Sequence, residues 1–136
     1  MLPESAPLDL AVYRLSKAKD LIQDAKLLYN ADQWASANNR AYYSLFHAMR
    51  AVLALQQIDF KKHTAVISTF HKDYINTGAF DKRYSTVITN ASIVRNHSDY
   101  DDFFVCTQEE TSDLIHDVQD FLLSVEAYLK TQGCAL

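Results

Sequence analysis

The chain is short of the residues that make turns. Its 136 residues include two glycines and two prolines, and both prolines (Pro3 and Pro7) precede the first periodic segment. A sheet protein of this size needs many turn residues, so the scarcity points to long helices with few connections. Cysteine is equally sparse: Cys106 and Cys134 are the only two, the second in an expected tail, with no CxxC pair. A zinc knuckle, a redox motif and a disulfide framework are therefore not supported. No apolar run approaches the roughly 18–20 residues of a membrane span. The opening "MLPESAPLDL" lacks the basic and apolar regions of a signal peptide. A soluble, cytoplasmic protein is expected. A basic excess is also missing. The net charge of −4 argues against a general nucleic-acid binder, whose basic surface displaces counterions, while leaving room for a local basic patch. With only Gly78 and Gly133, there is no Gly-rich phosphate loop.

What is present is apolar periodicity. Apolar residues make up 49% of the chain, too many for a disordered segment, and the length suits a single domain. We take 1–136 as that domain, with its core over about 8–130 and short tails. Ala11, Leu15, Ala18, Ile22, Ala25 and Tyr29 form one helical stripe within 8–30. "NADQW" follows as a turn, with Asp32 as the expected N-cap. The second helix, about 33–56, carries two adjacent stripes: Ala41, Leu45, Ala48, Val52, Leu55 and Tyr42, Phe46, Met49, Leu53. These make it the helix expected to be most buried. Its remaining arc holds Arg40, Tyr43, Ser44, His47 and Arg50. "QIDFKKH" (57–63) reads as a loop, and Thr64 as the cap of a short helix with Val66, Ile67, Phe70 and Tyr74 inward, ended by Gly78. Residues 81–96 form a fourth helix, 97–106 a loop, and Thr107 with Glu110 a capping box for the last helix. The fold expected is all-α: an antiparallel bundle of four long helices plus one short helix.

A helical bundle raises the prospect of a carboxylate-bridged metal pair, which needs inward glutamates and repeated ExxH motifs. The second helix has no Asp or Glu between Gln33 and Ile58, and the nearest match elsewhere is a single Asp113–His116 pair. None of the five histidines shares i, i+4 spacing with another, so no metal and no cofactor are expected. His71 and His116 read as solvated surface residues. Two polar groupings remain. Arg40, Tyr43 and His47 lie along one side of the second helix, either as a polar, partner-facing stripe or as a cleft. "SIVRNHSDYDDF" (92–103) follows the inward face of the fourth helix, since Arg95 continues the line of Ile88 and Ala91. Its plain alternative is an Arg95–Asp99 pair at a helix end.

"NRAYYSLFHAMRAVL" (39–53), "FKKHTAVISTF" (60–70) and "VRNHSDYDDF" (94–103) together resemble the HEPN domain, over nearly the whole chain. The resemblance is closest to small stand-alone members encoded beside a minimal nucleotidyltransferase (MNT). It implies a helical bundle paired as a two-fold homodimer, commonly the toxin half of a HEPN–MNT toxin–antitoxin pair. Many such proteins are metal-independent endoribonucleases that act on RNA through an Arg-Asn dipeptide followed several residues later by His. An imidazole moves protons at the 2′-hydroxyl or the leaving oxygen, and the Arg stabilises phosphoryl charge. The resemblance makes Arg95, Asn96, His97 and Asp99 the catalytic candidates, with Asp99 orienting His97, and leaves His47 and His63 in reserve. In some pairs the MNT partner adds nucleotides to a nearby Tyr, and Tyr100 holds a comparable place. The chain departs from the motif in one respect: His97 follows Asn96 at once, and Tyr100, Asp101 and Asp102 stand where the motif His belongs. On a continuing helix Arg95 and His97 diverge. They converge only if the helix ends near Asn96 or across a dimer. Two rivals to the nuclease remain, a non-catalytic adaptor that binds a nucleotidyltransferase or nucleotide, and a purely structural bundle.

Overall fold

The computed structural model describes residues 6–100 and 105–136. Among these residues five α-helices follow one another: α1 (Ala6–Asn30), α2 (Trp34–Ala54), α3 (His63–Phe70), α4 (Arg83–Tyr100) and α5 (Gln108–Thr131), with a π-helical turn over His71–Ile75 after α3. Asp101 and Asp102 lie outside the described residues, as does the side chain of Asp99.

α1 and α2 form the principal pair because their facing stripes are small. Ala11, Ala18 and Ala25 meet a row of Ala41, Ser44, Ala48 and Ala51, all fully buried, so the two backbones approach closely. Ser44 donates to the Ala18 carbonyl (2.6 Å), and Arg14 donates to the Arg50 carbonyl (3.1 Å), which fixes the antiparallel register. Ser44 was expected on the polar arc and is instead fully buried; a hydroxyl that bonds a helix carbonyl is small enough to sit in the seam. α2 is covered most completely, as its double stripe predicts. α5 closes the other side, tied to α1 by Lys19–Glu126 (2.8 Å) and to α2 by a buried Asn38–Thr111 hydrogen bond. Phe70, Tyr74, Phe80, Tyr84 and Phe121 stack at one end of the bundle.

Helix ends explain several departures from expectation. Asp32 does not cap α2, where Gln33 is the N-cap residue with no side-chain bond. Asp32 instead takes φ 60° while Gln33 N–H reaches the Leu28 carbonyl (2.9 Å), closing the end of α1. Aspartate tolerates this left-handed geometry better than most residues. Gly133 (φ 99°) closes α5 in the same way and turns Cys134 inward, where it packs into the core rather than lying in a free tail. Thr107 caps α5 as expected, accepting from Glu110 N–H (3.1 Å). Thr64 is not a cap; α3 begins one residue before it and has Lys62 as the N-cap residue. His71 is half-buried rather than solvated, bonding the Ile67 carbonyl (2.9 Å) and Ser85 Oγ (3.1 Å), while His116 is exposed. The largest change concerns 97–106, expected as a loop. α4 continues through Tyr100, since neither Gly nor Pro interrupts the chain there.

Candidate functional site

The continuation of α4 decides where its polar residues go. Arg95 follows Ile88 and Ala91 toward α2 and is half-buried, whereas Asn96 and His97 are exposed. Residues two apart on a helix do not share a face, so Arg95 and His97 do not converge within one chain. Tyr100 is 75% exposed. Arg40 is also exposed and lines a shallow hollow with Ser36, Asn39 and Ser98.

Arg95 meets a pair of tyrosines on α2. Its Nη2 donates to the Tyr43 hydroxyl (3.3 Å), and its guanidinium carbon lies 5.3 Å from the Tyr42 ring centre and 5.9 Å from that of Tyr43. Adjacent helical residues diverge by about 100°, so Tyr42 and Tyr43 can flank one cation from two directions. The negative faces of aromatic rings stabilise a guanidinium that burial would otherwise disfavour. The first residue of α3 completes the cluster: His63 Nδ1 lies 2.9 Å from the Tyr42 hydroxyl, and its ring stacks on Phe46 at 4.0 Å. Burial, then the charges of Arg95 and Arg50, lower the His63 pKa below its ordinary value. This shift favours the neutral imidazole, the form that can accept a proton. When Nδ1–H points to Tyr42, the lone pair is left on Nε2.

The stripe continues one turn along α2. His47 packs edge-on against Phe46 (5.8 Å). Burial first, then Lys17, Arg50 and Arg14, push its pKa down to about 4. At the end of the stripe Arg50 Nη2 bonds Asp59 Oδ1 (2.8 Å), and Arg14 Nη2 lies 3.5 Å from the same oxygen.

Of the residues singled out in the sequence, Arg95, Tyr43 and His63 thus come together directly, with His47 beside them through Phe46. Asn96, His97, Tyr100 and Arg40 do not join this cluster through any described contact. Tyr42 and Phe46 were assigned to the core and prove to be its walls. Arg14 and Asp59 drew no attention in the sequence, because their pairing spans two connections. Among the described residues, no group of three or more His, Cys, Asp or Glu side chains is arranged to hold a metal ion. None of the described helices is long and apolar enough to cross a membrane.

Comparison with known proteins agrees with this architecture. A 118-residue stretch, 87% of the chain, is 29% identical to a UPF0332 protein of Thermotoga maritima and covers 89% of that protein. A candidate toxin of Methanocaldococcus jannaschii is 32% identical over 85% of this chain and 78% of its own length. A second candidate toxin of the same organism is 30% identical over 83% of this chain and 84% of its own length. The family model described as the HEPN domain matches residues 11–128, which include every residue of the cluster, and the chain belongs to the HEPN family.

Proposed function

We propose that this HEPN protein is the toxin of a HEPN–MNT toxin–antitoxin or related defence module, and that it is a metal-independent endoribonuclease working as a cytoplasmic homodimer. Its relatives include two proteins named as candidate toxins. The observation that carries the nuclease reading is the half-buried Arg95 guanidinium held on Tyr42 and Tyr43, in one cluster with His63, whose pKa is lowered by burial. Arg95 binds the scissile phosphate and stabilises the charge that grows on it. His63 takes the proton of the 2′-hydroxyl; the 2′-oxygen then bonds to phosphorus as the bond to the 5′-oxygen breaks, leaving a cyclic phosphate. The departing 5′-oxygen takes a proton from water or from His97 of a second copy across the cleft, and His63 then returns its proton to solvent. The role of general base thus passes from His97 to His63.

The test is cleavage of single-stranded RNA by purified protein in a chelator. Cleavage should fall by about 100-fold or more in Arg95→Ala and in His63→Ala, and expression of the unaltered chain should arrest growth. Wild-type protein that leaves RNA uncut would sink this reading. The adaptor reading would then stand, favoured by the acidic net charge of −4 and by the exposure of Tyr100 to a nucleotide-transferring partner.

A further inference from the structure

The Arg14–Arg50–Asp59 cluster has more positive charge than it uses. Two guanidiniums, on α1 and α2, converge on a single oxygen of one carboxylate. The Arg14 side chain is 9% exposed and Asp59 64% exposed, so the cations are set in the wall and the anion lies over them from the loop. Arg50 Nε and His47 Nδ1 are buried without a hydrogen-bond partner. A carboxylate offers two oxygens and one charge; a phosphate offers more of both, and guanidinium forks match it well. Arg50 also lies on the same side of α2 as Tyr43, two turns further on. That is about 10 Å along the axis, or roughly three nucleotides of a stacked strand at about 3.4 Å each. Between the two points the His63 ring packs on buried Phe46. A basic groove that tracks the backbone is one part of how single strands are held without regard to sequence.

We infer that Arg14 and Arg50 form a second phosphate subsite, which takes a backbone phosphate of single-stranded RNA flanking the one at Arg95, and that Asp59 is an internal anion the RNA displaces. This inference rests on the nuclease reading and adds a contact for the strand beyond the scissile phosphate. It also accounts for RNA binding by an acidic chain: the positive charge is concentrated in one stripe and partly masked until the strand arrives.

Opposite signs distinguish a masked subsite from a structural ion pair. Binding of a fluorescent 2′-O-methyl single-stranded oligoribonucleotide, which cannot be cut, is measured by anisotropy against salt, with ATP as a separate probe. Asp59→Asn, on an exposed side chain, should tighten oligonucleotide binding by about three- to tenfold at low salt. Arg50→Gln should weaken it about tenfold and reduce the salt slope by about one. If both variants match the wild type, or both weaken binding, the subsite is overturned. The same holds if the wild type binds no oligonucleotide, or if ATP alone responds to Asp59→Asn. Cleavage is read in parallel on unmodified RNA. An uncut substrate with both binding effects present removes the nuclease and keeps the subsite, whereas cleavage that depends on Arg95 without those effects does the reverse.

Discussion

Along α4, Tyr84, Ile88 and Ala91 are buried in the core at 2%, 0% and 1% exposure, while beyond Ala91 none of the described α4 residues is buried. An arginine against tyrosine stands in each half. Arg83 lies over Tyr84 (4.7 Å), donates to its hydroxyl and, itself exposed, pairs with the half-buried Asp120 of α5 (2.5 Å). Arg95 is drawn inward onto two rings of α2, with His63 beyond them. The same pair of residue types therefore serves two ends. Where a carboxylate meets the exposed cation, it fastens two helices. Where ring faces meet the cation, it is held partly out of water against α2.

The sharpest way to break this contrast is to cut into the first half. Ile88→Ala should cost about 2–5 kcal/mol, since it removes a fully buried side chain and leaves a cavity behind. Denaturant unfolding measures the loss, and activity per folded molecule should stay near that of the wild type. If activity fell with the folded fraction held constant, the two halves would not be separable. Asn38→Ala comes next. It strands the Thr111 hydroxyl's partner position between α2 and α5 and should cost about 1–3 kcal/mol.

Acid tests the cationic stripe. The pKa of His47 falls from 6.5 to about 4 on folding, so between those values the unfolded chain binds a proton that the folded chain refuses. Stability should therefore decline as pH falls through that window, and His63, lowered as well, adds with the same sign. Asp59 and Glu126 carry lowered carboxylate pKa values, so their contribution is lost on further acidification. His47→Gln should flatten the decline between about pH 6.5 and 4 in a thermal-melt series. An unchanged slope would mean that His47 is solvated in the folded protein.

The fold was largely legible because its signals are local. Apolar spacing marked α1 and α2, and Thr107 with Glu110 marked the start of α5 to the residue. The end of α4 was misread as a loop from its polar composition, although the stretch from Phe80 to Gln132 contains neither Gly nor Pro. Composition reports solvent contact, and a solvated helix is as polar as a loop. The site was legible only in part, since it depends on long-range contacts: 52 residues separate Arg95 from Tyr43, and 21 separate His63 from Tyr42. Arg95 was found because it continues a buried stripe. Tyr42 was hidden because a core aromatic and a site wall have the same spacing.

Removing Arg95 sharpens the comparison from the other side. Arg95→Ala gives up, among other contacts, a long hydrogen bond to Tyr43 and two ring contacts, and should cost about 1–2 kcal/mol of stability or somewhat more, with RNA cleavage lost. Arg83→Ala should leave cleavage unchanged, which a side-by-side rate measurement on folded samples checks.

The smallest effect is expected at His97. It is exposed and leaves α4 by a different face from Arg95, so in one chain it has no route to a phosphate held there. His97→Ala should alter stability by no more than about 0.5 kcal/mol, as a surface substitution usually does. If His63 of the same chain is the base, cleavage by His97→Ala falls far less than by His63→Ala. The reverse order would place His97 of the second copy in the site. Mixing then decides it. An Arg95→Ala chain paired with a His97→Ala chain would regain one intact composite site, so activity restored by mixing two inactive variants would assign the proton transfer across the dimer. Full activity of His97→Ala alone would leave it with His63.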